Sequence, residues 1–358
     1  MGGHLARLLC EQGERVRVTH RAEARLERLA GLEVEPIKAD ATDRAALRRA
    51  FRGCDVVFHA AGMVGAKPAA EVWRVNALGP RVAVEAAAAE GVRRIVITSS
   101  VAGIGPVPPG EIGTEEDEFR GGGLRLTYMD AKHEGESEAL AAGARVGVEV
   151  VVVNPSYVLG VPLDPSHPGE TSTRTIGNYL RGRLPAVVDA EVNIVDVRDV
   201  ASGHLKAAEK GRPGERYVLG GHDTTWVDLL ERVAELSGVH HPLLVLPPEL
   251  GRVAQRAEDF GLPTPISSEG ILAMAQNWRY SSRKARSELG YRTRSLAATL
   301  RDTVQWYESL VGSGALDGRR PSVLSLGAAG VRLASRAGVL RGLQAAERYV
   351  GRTLVSKP

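Results

Sequence analysis

A tyrosine and a lysine in the stretch TYMDAK are well suited to move a proton. Tyr128 and Lys132 are four residues apart, so a helix would place both on one face. A phenol has an ordinary pKa of about 10, which is high for a base at neutral pH, and a neighbouring ammonium favours the phenolate. The pair can therefore act as a general acid or base. Because this spacing also arises by chance, a surface tyrosine beside a solvated lysine is the alternative.

A serine upstream strengthens the catalytic interpretation. Ser100 ends the apolar stretch RIVITSS, which is typical of a buried strand, and precedes Tyr128 by 28 residues. A side chain at the carboxyl end of a parallel strand faces the crevice in which such sheets bind ligands. The sequence therefore predicts that a hydroxyl group and the Tyr-Lys pair meet at one edge of a sheet.

The elements that must position these side chains alternate along the first 160 residues. Strands are predicted from RVRVTH, LEVEPIKA, DVVFHAAG, RIVITSS and VEVVVVNPS, and helices over 43–51, 69–90 and 127–143. Continuous apolar strands are typical of parallel sheets that are covered on both faces. The pattern predicts an α/β fold with a doubly wound parallel sheet.

The regularity weakens after residue 160, where proline-rich pieces interrupt the pattern. We assign 161–310 to a smaller, discontinuous substrate lobe. The strand, helix and strand predicted over 191–220 are expected to return to the first domain, 1–160. Residues 311–358 form an Ala/Arg-rich tail that is predicted to be helical.

Composition excludes several classes of protein. The chain has 358 residues, 43% apolar and 25% charged, with a net charge of +3 and its basic residues interspersed with acids. This distribution gives no tract for nucleic acid. Cys10 and Cys54 have neither metal-ligand nor disulfide spacing, so we expect no metal and a reduced setting. No signal peptide and no membrane-length apolar run is visible, which favours a cytoplasmic location.

A series of motifs resembles the extended short-chain dehydrogenase/reductase superfamily of NAD-dependent epimerases and dehydratases. The motifs are HAAG, VNALG, IVITSSVAGIG, YMDAK and NPSYVLG, followed later by YVLGG, RYSSRKARSELGY and LRDTVQWY. They look most like the branch of dihydroflavonol-4-reductase-like proteins and hopanoid-associated sugar epimerases. The resemblance spans residues 1 to about 310 and implies a Rossmann-like domain that binds a nicotinamide dinucleotide.

The resemblance also implies roles for the candidate residues. Tyr128 gives or takes the proton, Lys132 binds the nicotinamide ribose and lowers the pKa of the tyrosine, and Ser100 hydrogen-bonds the substrate oxygen. Ser99 supports the strand end, and Asn76 is either structural or catalytic. Cofactor contacts are carried to Gly2, Asp40, Ala60, Ala61, Gly62, Pro155 and Ser156, together with Tyr128 and Lys132.

Two of the cofactor assignments have alternatives. Asp40 would face the adenine, or it would cap the helix over 43–51, although Thr42 or Asp43 suits a cap better. Arg21 follows the strand RVRVTH at a place where NAD-binding proteins usually carry an acid. A guanidinium there could hold a 2′-phosphate, which favours NADP(H) over NAD(H). A solvated Arg21 is the alternative.

The chain opens as if within a phosphate-binding turn. MGGHLARLL matches the end of the family's Gly-x-x-Gly-x-x-Gly motif, with Gly2 on the third glycine. The first strand, expected to be central in the sheet, and the first two glycines are absent. Either the true start lies upstream, which we favour, or the protein is truncated and inactive. The absence of that strand predicts unpaired backbone on both of its neighbours.

We predict an NAD(P)-dependent oxidoreductase that reduces a ketone or aldehyde, or runs the reverse reaction. A nucleotide-sugar epimerase or dehydratase is the first alternative, and a non-catalytic NADP-binding protein is the second. An NADP preference favours a net reductase. Arg174, Arg181 and Arg183 would bind a nucleotide-sugar diphosphate, or would only form a basic helix face.

Three partner predictions complete the sequence analysis. The substrate is a small carbonyl compound, an alcohol or a nucleotide sugar. The Arg-rich stretch 320–352 could lie on an anionic membrane or dock on protein. A homodimer through the helices over 69–90 and 127–143 is an analogy from the superfamily.

Overall fold

The computed structural model describes residues 1–21, 26, 29–65, 68–163, 171–241, 243–246 and 268–317. In chain order the elements are α1 (Gly2–Glu11), β1 (Val16–His20), β2 (Val34–Lys38), α2 (Arg44–Phe51), β3 (Val56–His59), α3 (Ala69–Trp73), a π-helical turn (Arg74–Leu78), α4 (Gly79–Ala89), β4 (Arg94–Thr98), α5 (Thr127–Val146), β5 (Glu149–Pro155), β6 (Tyr157–Leu159), α6 (Thr171–Leu180), β7 (Ala186–Val188), β8 (Glu191–Asp196), α7 (Val197–Lys210), β9 (Arg216–Leu219), β10 (His222–Thr225), α8 (Trp226–Ser237), β11 (Leu244–Leu246), α9 (Ser268–Met274), a second π-helical turn (Ala285–Leu289) and α10 (Leu296–Gly312).

A parallel sheet with the order β3-β4-β5-β9 forms the centre of the first domain. The apolar strands β4 and β5 are buried because helices cover both faces. Val150 and Val152 of β5 pack on the side of α2, α4 and α5, whereas Val151 and Val153 pack toward α7. This two-sided burial explains the continuous apolar runs and confirms the predicted doubly wound α/β fold.

A gap separates this sheet from a second parallel pair. Among the described strands, β1 pairs only with β2, and β3 pairs only with β4. A cavity of about 2460 Å³ is lined by residues of both β1 and β3. Helix α1 covers the gap on one side, where Leu5 packs on Ala201 and Leu205 of α7. The unpaired neighbours that the sequence analysis predicts are therefore present in the structure.

The helix predicted over 69–90 is continuous but not uniform. It is α-helical over Ala69–Trp73 and Gly79–Ala89, with the π-helical turn of Arg74–Leu78 between these segments. The wider turn brings Asn76 to the inner side, where it is 1% exposed. Such turns often occur at functional sites.

A smaller lobe is built from later segments. Strands β10, β8 and β6 form one sheet, β11 pairs with β7, and α6, α8 and α10 enclose a separate core that includes Trp226, Leu300 and Tyr307. Residues 191–220 divide between the two units, since β8 pairs with β6 and β10 in the lobe, whereas α7 packs on β5 and β9 pairs with β5. The predicted tail lies outside the described residues from 318 onward, and no helix within the described residues is long and apolar enough to cross a membrane.

Candidate active site

The three predicted catalytic side chains meet where β4 ends. Ser100 follows β4, accepts a hydrogen bond from the amide of Ala102 at 3.1 Å, and donates from its hydroxyl to the carbonyl of Pro155 at 3.5 Å. The hydroxyl groups of Ser100 and Tyr128 are hydrogen-bonded to each other. Lys132 lies one turn further along α5 and donates from Nζ to the carbonyl of Thr98 at 3.0 Å. The structure thus joins residues that the sequence separates by 28 positions or more.

Small residues let α5 approach the π-helical turn of Arg74–Leu78 closely. Ala131 and Ala139 are fully buried. A Cβ atom placed on Gly135 would lie 1.9 Å from the carbonyl oxygen of Asn76, in the π-helical turn. The side chain of Asn76 in turn donates to the carbonyl of Met63 at 2.7 Å and accepts from its amide at 3.0 Å. Both polar groups of the Asn76 side chain thus hold the main chain of Met63.

Burial, rather than Lys132, dominates the titration of Tyr128. It raises the pKa of Tyr128, and the hydrogen bond with Ser100 only partly opposes that effect. Burial also lowers the pKa of Lys132 to about 8, against the opposing charge of Glu136. The expected lowering of the tyrosine pKa by the lysine is not what this structure shows, because desolvation of the phenolate is the larger effect.

The predicted dinucleotide contacts line one cavity, except Lys132, which is buried behind that lining. The cavity lining includes Gly2, Arg21, Asp40, Ala60, Ala61, Gly62, Ser100, Tyr128, Pro155 and Ser156. A Cβ atom built on Gly62 would lie 3.3 Å from both Lys132 Nζ and Asn76 Oδ1, so this position keeps the space beside the ammonium open. Helix α1 begins at Gly2, and a Cβ atom built on Gly2 would lie 4.0 Å from Cβ of Ala60, in the segment after β3. The end of the helix that carries free amide groups therefore lies next to that segment. These residues fit a nicotinamide dinucleotide.

Arg21 and Asp40, the two charged residues among the predicted cofactor contacts near the adenine end, also line the cavity. Arg21 is exposed and lies directly after β1, with no acid at that position. The carboxylate of Asp40 pairs with the Arg74 guanidinium at 2.9 Å and accepts from the amide and hydroxyl of Thr42. These partners hold the pKa of Asp40 well below its usual range. Asp43 caps α2 by accepting from the amide of Ala46, so of the two residues that suit a cap better than Asp40, Thr42 and Asp43, it is Asp43 that forms it.

Next to Tyr128, part of the cavity is lined by residues of the smaller lobe together with Ala102 and Met129, and we call this part the substrate chamber. The rings of Tyr157 and Trp226 pack edge to face with their centres 4.8 Å apart. Among the described residues that line the whole cavity there is no lysine, and its arginines come from the segments around β1 and before β4, not from those that line the chamber; they are Arg15, Arg17, Arg21 and Arg93. The chamber is lined by Ala102, Met129, Tyr157, Ser172, Thr173, Val192, Asn193, Trp226, Ala273, Met274 and Trp278.

The arginines considered for a diphosphate lie elsewhere. Arg183 Nη2 and Arg181 Nη2 approach the carboxylate of Asp317 at 3.5 and 4.0 Å, and Arg174 is exposed. None of the three lines the cavity. Within the described ranges, no group of three or more His, Cys, Asp or Glu side chains could hold a metal ion.

A buried carboxylate that was not predicted from the sequence, Glu136, lies on α5 beside Tyr128 and Lys132. Glu136 is 4% exposed and lies one further turn along α5, at the same four-residue spacing. Its partners are Asn154 on β5 and Arg216 on β9. The recurrence of the spacing in Tyr-x-x-x-Lys-x-x-x-Glu is the signal that could have identified it.

Comparison with known proteins agrees with the geometry. The NAD dependent epimerase/dehydratase family matches residues 1–220. A dihydroflavonol 4-reductase-like protein of Synechocystis sp. is 33% identical, over 86% of this chain and 92% of that protein. Sterol demethylase protein B of Methylococcus capsulatus is 32% identical, over 86% and 95%. A solved structure of a nucleoside-diphosphate-sugar epimerase from Pseudomonas aeruginosa superposes with a TM-score of 0.71 at 29% identity, covering 88% and 95% of the two chains.

Proposed function

The chain belongs to the NAD dependent epimerase/dehydratase family, a family of enzymes that act on CH–OH and carbonyl groups, and from this premise we propose that it is an NADP(H)-dependent reductase. Its substrate is a ketone or aldehyde that carries a bulky apolar or aromatic group. The observation that carries this proposal is the position of Ser100 and Tyr128 at the entrance of a chamber lined mainly by aromatic and apolar side chains.

Each catalytic group has a role in carbonyl reduction. When bound, the nicotinamide supplies a hydride to the carbonyl carbon. Tyr128 gives its phenolic proton to the carbonyl oxygen, while the Ser100 hydroxyl hydrogen-bonds the same oxygen as negative charge develops there. Lys132 lies beside Gly62 and would hold the ribose hydroxyls of the cofactor through its ammonium. The carbonyl carbon thus gains one hydride and the carbonyl oxygen gains one proton, and the product is an alcohol.

The protonation state of Tyr128 supports the reductive direction. Because burial raises its pKa, the phenol is protonated at neutral pH and is ready to donate. An epimerase must first remove a proton from a sugar hydroxyl, for which a phenolate is needed. A protonated Tyr128 is the form that reduction of a carbonyl group requires.

Charge supports the choice of NADP(H). The position directly after β1 carries no acid to hold a ribose 2′-hydroxyl, and the exposed guanidinium of Arg21 lies there. The carboxylate of Asp40 is already paired with Arg74, which reduces its repulsion of a 2′-phosphate.

A nucleotide-sugar epimerase is the competing function, and it has a named relative in the solved structure from Pseudomonas aeruginosa. A nucleotide sugar carries a diphosphate, which is commonly bound by arginine or lysine. Arg181 and Arg183 instead face Asp317, and the described part of the substrate chamber supplies no cation. This arrangement favours the reductase.

The test combines cofactor binding with turnover. Fluorescence titration should give a lower Kd for NADPH than for NADH. Aryl ketones, aryl aldehydes and steroid ketones should then be reduced with one NADPH consumed per alcohol formed. Exchange at a sugar carbon without net cofactor consumption would replace the reductase with an epimerase. Tight NADPH binding with no turnover of any carbonyl compound would leave only the binding-protein interpretation.

A further inference from the structure

Glu136 is a buried acid with a separate partner on each oxygen. Its Oε1 accepts from Arg216 Nη1 at 3.1 Å, and its Oε2 accepts from Asn154 Nδ2 at 2.7 Å. A buried carboxylate is costly unless it is paired and hydrogen-bonded, and both conditions are met here. The exposed face of α5 carries other acids, so burial of this one requires an explanation.

Asn154, one of the two partners of Glu136, connects this carboxylate to Ser100. Asn154 is fully buried on β5, and its Nδ2 also donates to the main-chain carbonyl of Ser100 at 3.1 Å. The same amide group therefore connects the carboxylate to the residue whose hydroxyl contacts Tyr128. Through Asn154, Glu136 fixes the main chain that carries the serine.

The charge of Glu136 also acts on Lys132, which lies one turn earlier on the same face of α5. The negative charge of Glu136 is the influence that opposes burial in setting the pKa of Lys132. The other titratable groups around the ammonium are Tyr128 on the same helix and His59 at the end of β3. Burial and the charge of Lys132 lower the pKa of His59 to about 4, so this histidine is neutral at neutral pH.

The far side of Glu136 is held by Arg216 on β9. Its guanidinium pairs with Glu136 Oε1 and donates from Nη2 to the main-chain carbonyls of Glu115 and Asp117. Tyr280 is the remaining titratable neighbour that senses the charge of Glu136. The carboxylate is thus fixed from β5, from β9 and from its own helix.

We propose that Glu136 is a positioning residue that sets two parts of the site at once, the main chain of Ser100 through Asn154 and the positive charge of Lys132 through its own negative charge. The inference rests on the proposed reductase chemistry for its catalytic consequence. Its electrostatic consequence can be measured on the protein without any substrate.

The decisive variant is Glu136→Gln, which removes the charge and keeps the size. The matched control is Glu138→Gln, which removes the same charge from a half-buried position on α5 that pairs with Arg81. The lysine side chains are labelled with ¹³C and ¹⁵N, and their NMR signals are followed against pH. The chain has seven lysines, and the signal lost in Lys132→Arg identifies Lys132.

Glu136→Gln should lower the pKa of Lys132 by about 1, because an opposite charge nearby has been removed. Glu138→Gln should leave it unchanged. In the reductase assay, Glu136→Gln should lower kcat about tenfold at pH 7. The part of the kcat–pH profile that depends on Lys132 should move to lower pH, as the pKa of Lys132 does. An unchanged Lys132 pKa in folded Glu136→Gln overturns the proposal, whatever the activity.

Two further variants distinguish the effect of Glu136 through Asn154 from the effect of its charge on Lys132. They also test the proposal if Glu136→Gln does not fold. Asn154→Ala should lower kcat without moving the pKa of Lys132, since the charge remains. Glu136→Asp should keep that pKa near its original value while kcat falls. If both variants reduce kcat only in proportion to a loss of folded protein, Glu136 is merely structural. If the unaltered enzyme reduces no carbonyl compound, the proposed function fails, but the NMR result still decides the electrostatic role of Glu136.

Discussion

Replacement of Gly135 by alanine should destabilise the protein and disable the site, because α5 touches the π-helical turn at this residue. The added Cβ atom would lie 1.9 Å from the carbonyl oxygen of Asn76, whereas ordinary contacts begin at about 3.4 Å. The two backbones must therefore separate by about 1.5 Å. Neither atom belongs to a flexible side chain, so the strain cannot be relieved by a rotamer change.

The magnitude follows from two opposing effects. Alanine is favoured over glycine in a helix interior by about 1 kcal/mol. Overpacking costs about 1–3 kcal/mol and reaches the upper end where backbone must move. We expect a net loss of about 2 kcal/mol and a Tm lowered by about 4–8 °C. Because Tyr128 and Lys132 move with α5, kcat should fall by about 10²-fold.

The assay compares Gly135→Ala with Gly79→Ala by thermal unfolding and NADPH oxidation. Gly79 is also buried and helical, but a Cβ atom there would meet its nearest neighbour, the Ala41 carbonyl oxygen, at 3.6 Å. The control should keep or slightly raise Tm and retain activity. If Gly135→Ala raises Tm as the control does, the packing of α5 described above is wrong.

Three other predictions concern the site directly. Ser100→Ala should lower kcat about 10²-fold with a smaller effect on KM, because a hydrogen bond to the developing alkoxide is lost, and steady-state kinetics will show this. Arg21→Glu should raise the Kd for NADPH more than tenfold and change that for NADH little, whereas the exposed Arg232→Glu should change neither; equal losses for both cofactors would refute the 2′-phosphate assignment. Since Lys132 has its pKa lowered to about 8, the unfolded chain binds the extra proton between about pH 8 and 10, so the free energy of unfolding should rise with pH there by up to about 1.4 kcal/mol per pH unit. Denaturant titrations of Lys132→Met should lack that rise, and an equal slope in the variant would contradict the buried ammonium.

Periodicity and strand-end position predict much of the fold and the centre of the site. The apolar runs of β4 and β5 identify parallel strands, and their carboxyl ends place Ser100 beside the helix that carries Tyr128 and Lys132. The unpaired edges of β1 and β3 could also be predicted, because the motif around Gly2 shows which strand would lie between them.

Long-range partners could not be predicted in this way. Arg216 is 80 residues from Glu136 and reaches it only because β9 pairs with β5. Arg74 likewise reaches Asp40 across 34 residues through the π-helical turn, which no periodicity indicates. Whether the pKa of Tyr128 is raised or lowered depends on the burial of its side chain, and burial is a property of the assembled fold.

The substrate chamber was the least predictable part. Its aromatic side chains come from segments as distant as Tyr157, Trp226 and Trp278, and only the folded chain brings them to one cavity. The pairing of Arg181 and Arg183 with Asp317 also joins distant segments, because α10 packs on α6. Sequence spacing alone could not separate a diphosphate site from a surface ion pair.

The most direct test of the account is transfer of deuterium to an aryl ketone from NADPH that carries deuterium at both C4 positions of the nicotinamide, with Tyr128→Phe assayed beside the unaltered protein. The account predicts an alcohol that carries one deuterium on the carbinol carbon, and a rate at least 10²-fold lower for the variant, because the proton donor is lost. Deuterium-free product, or equal rates for the two proteins, would contradict it.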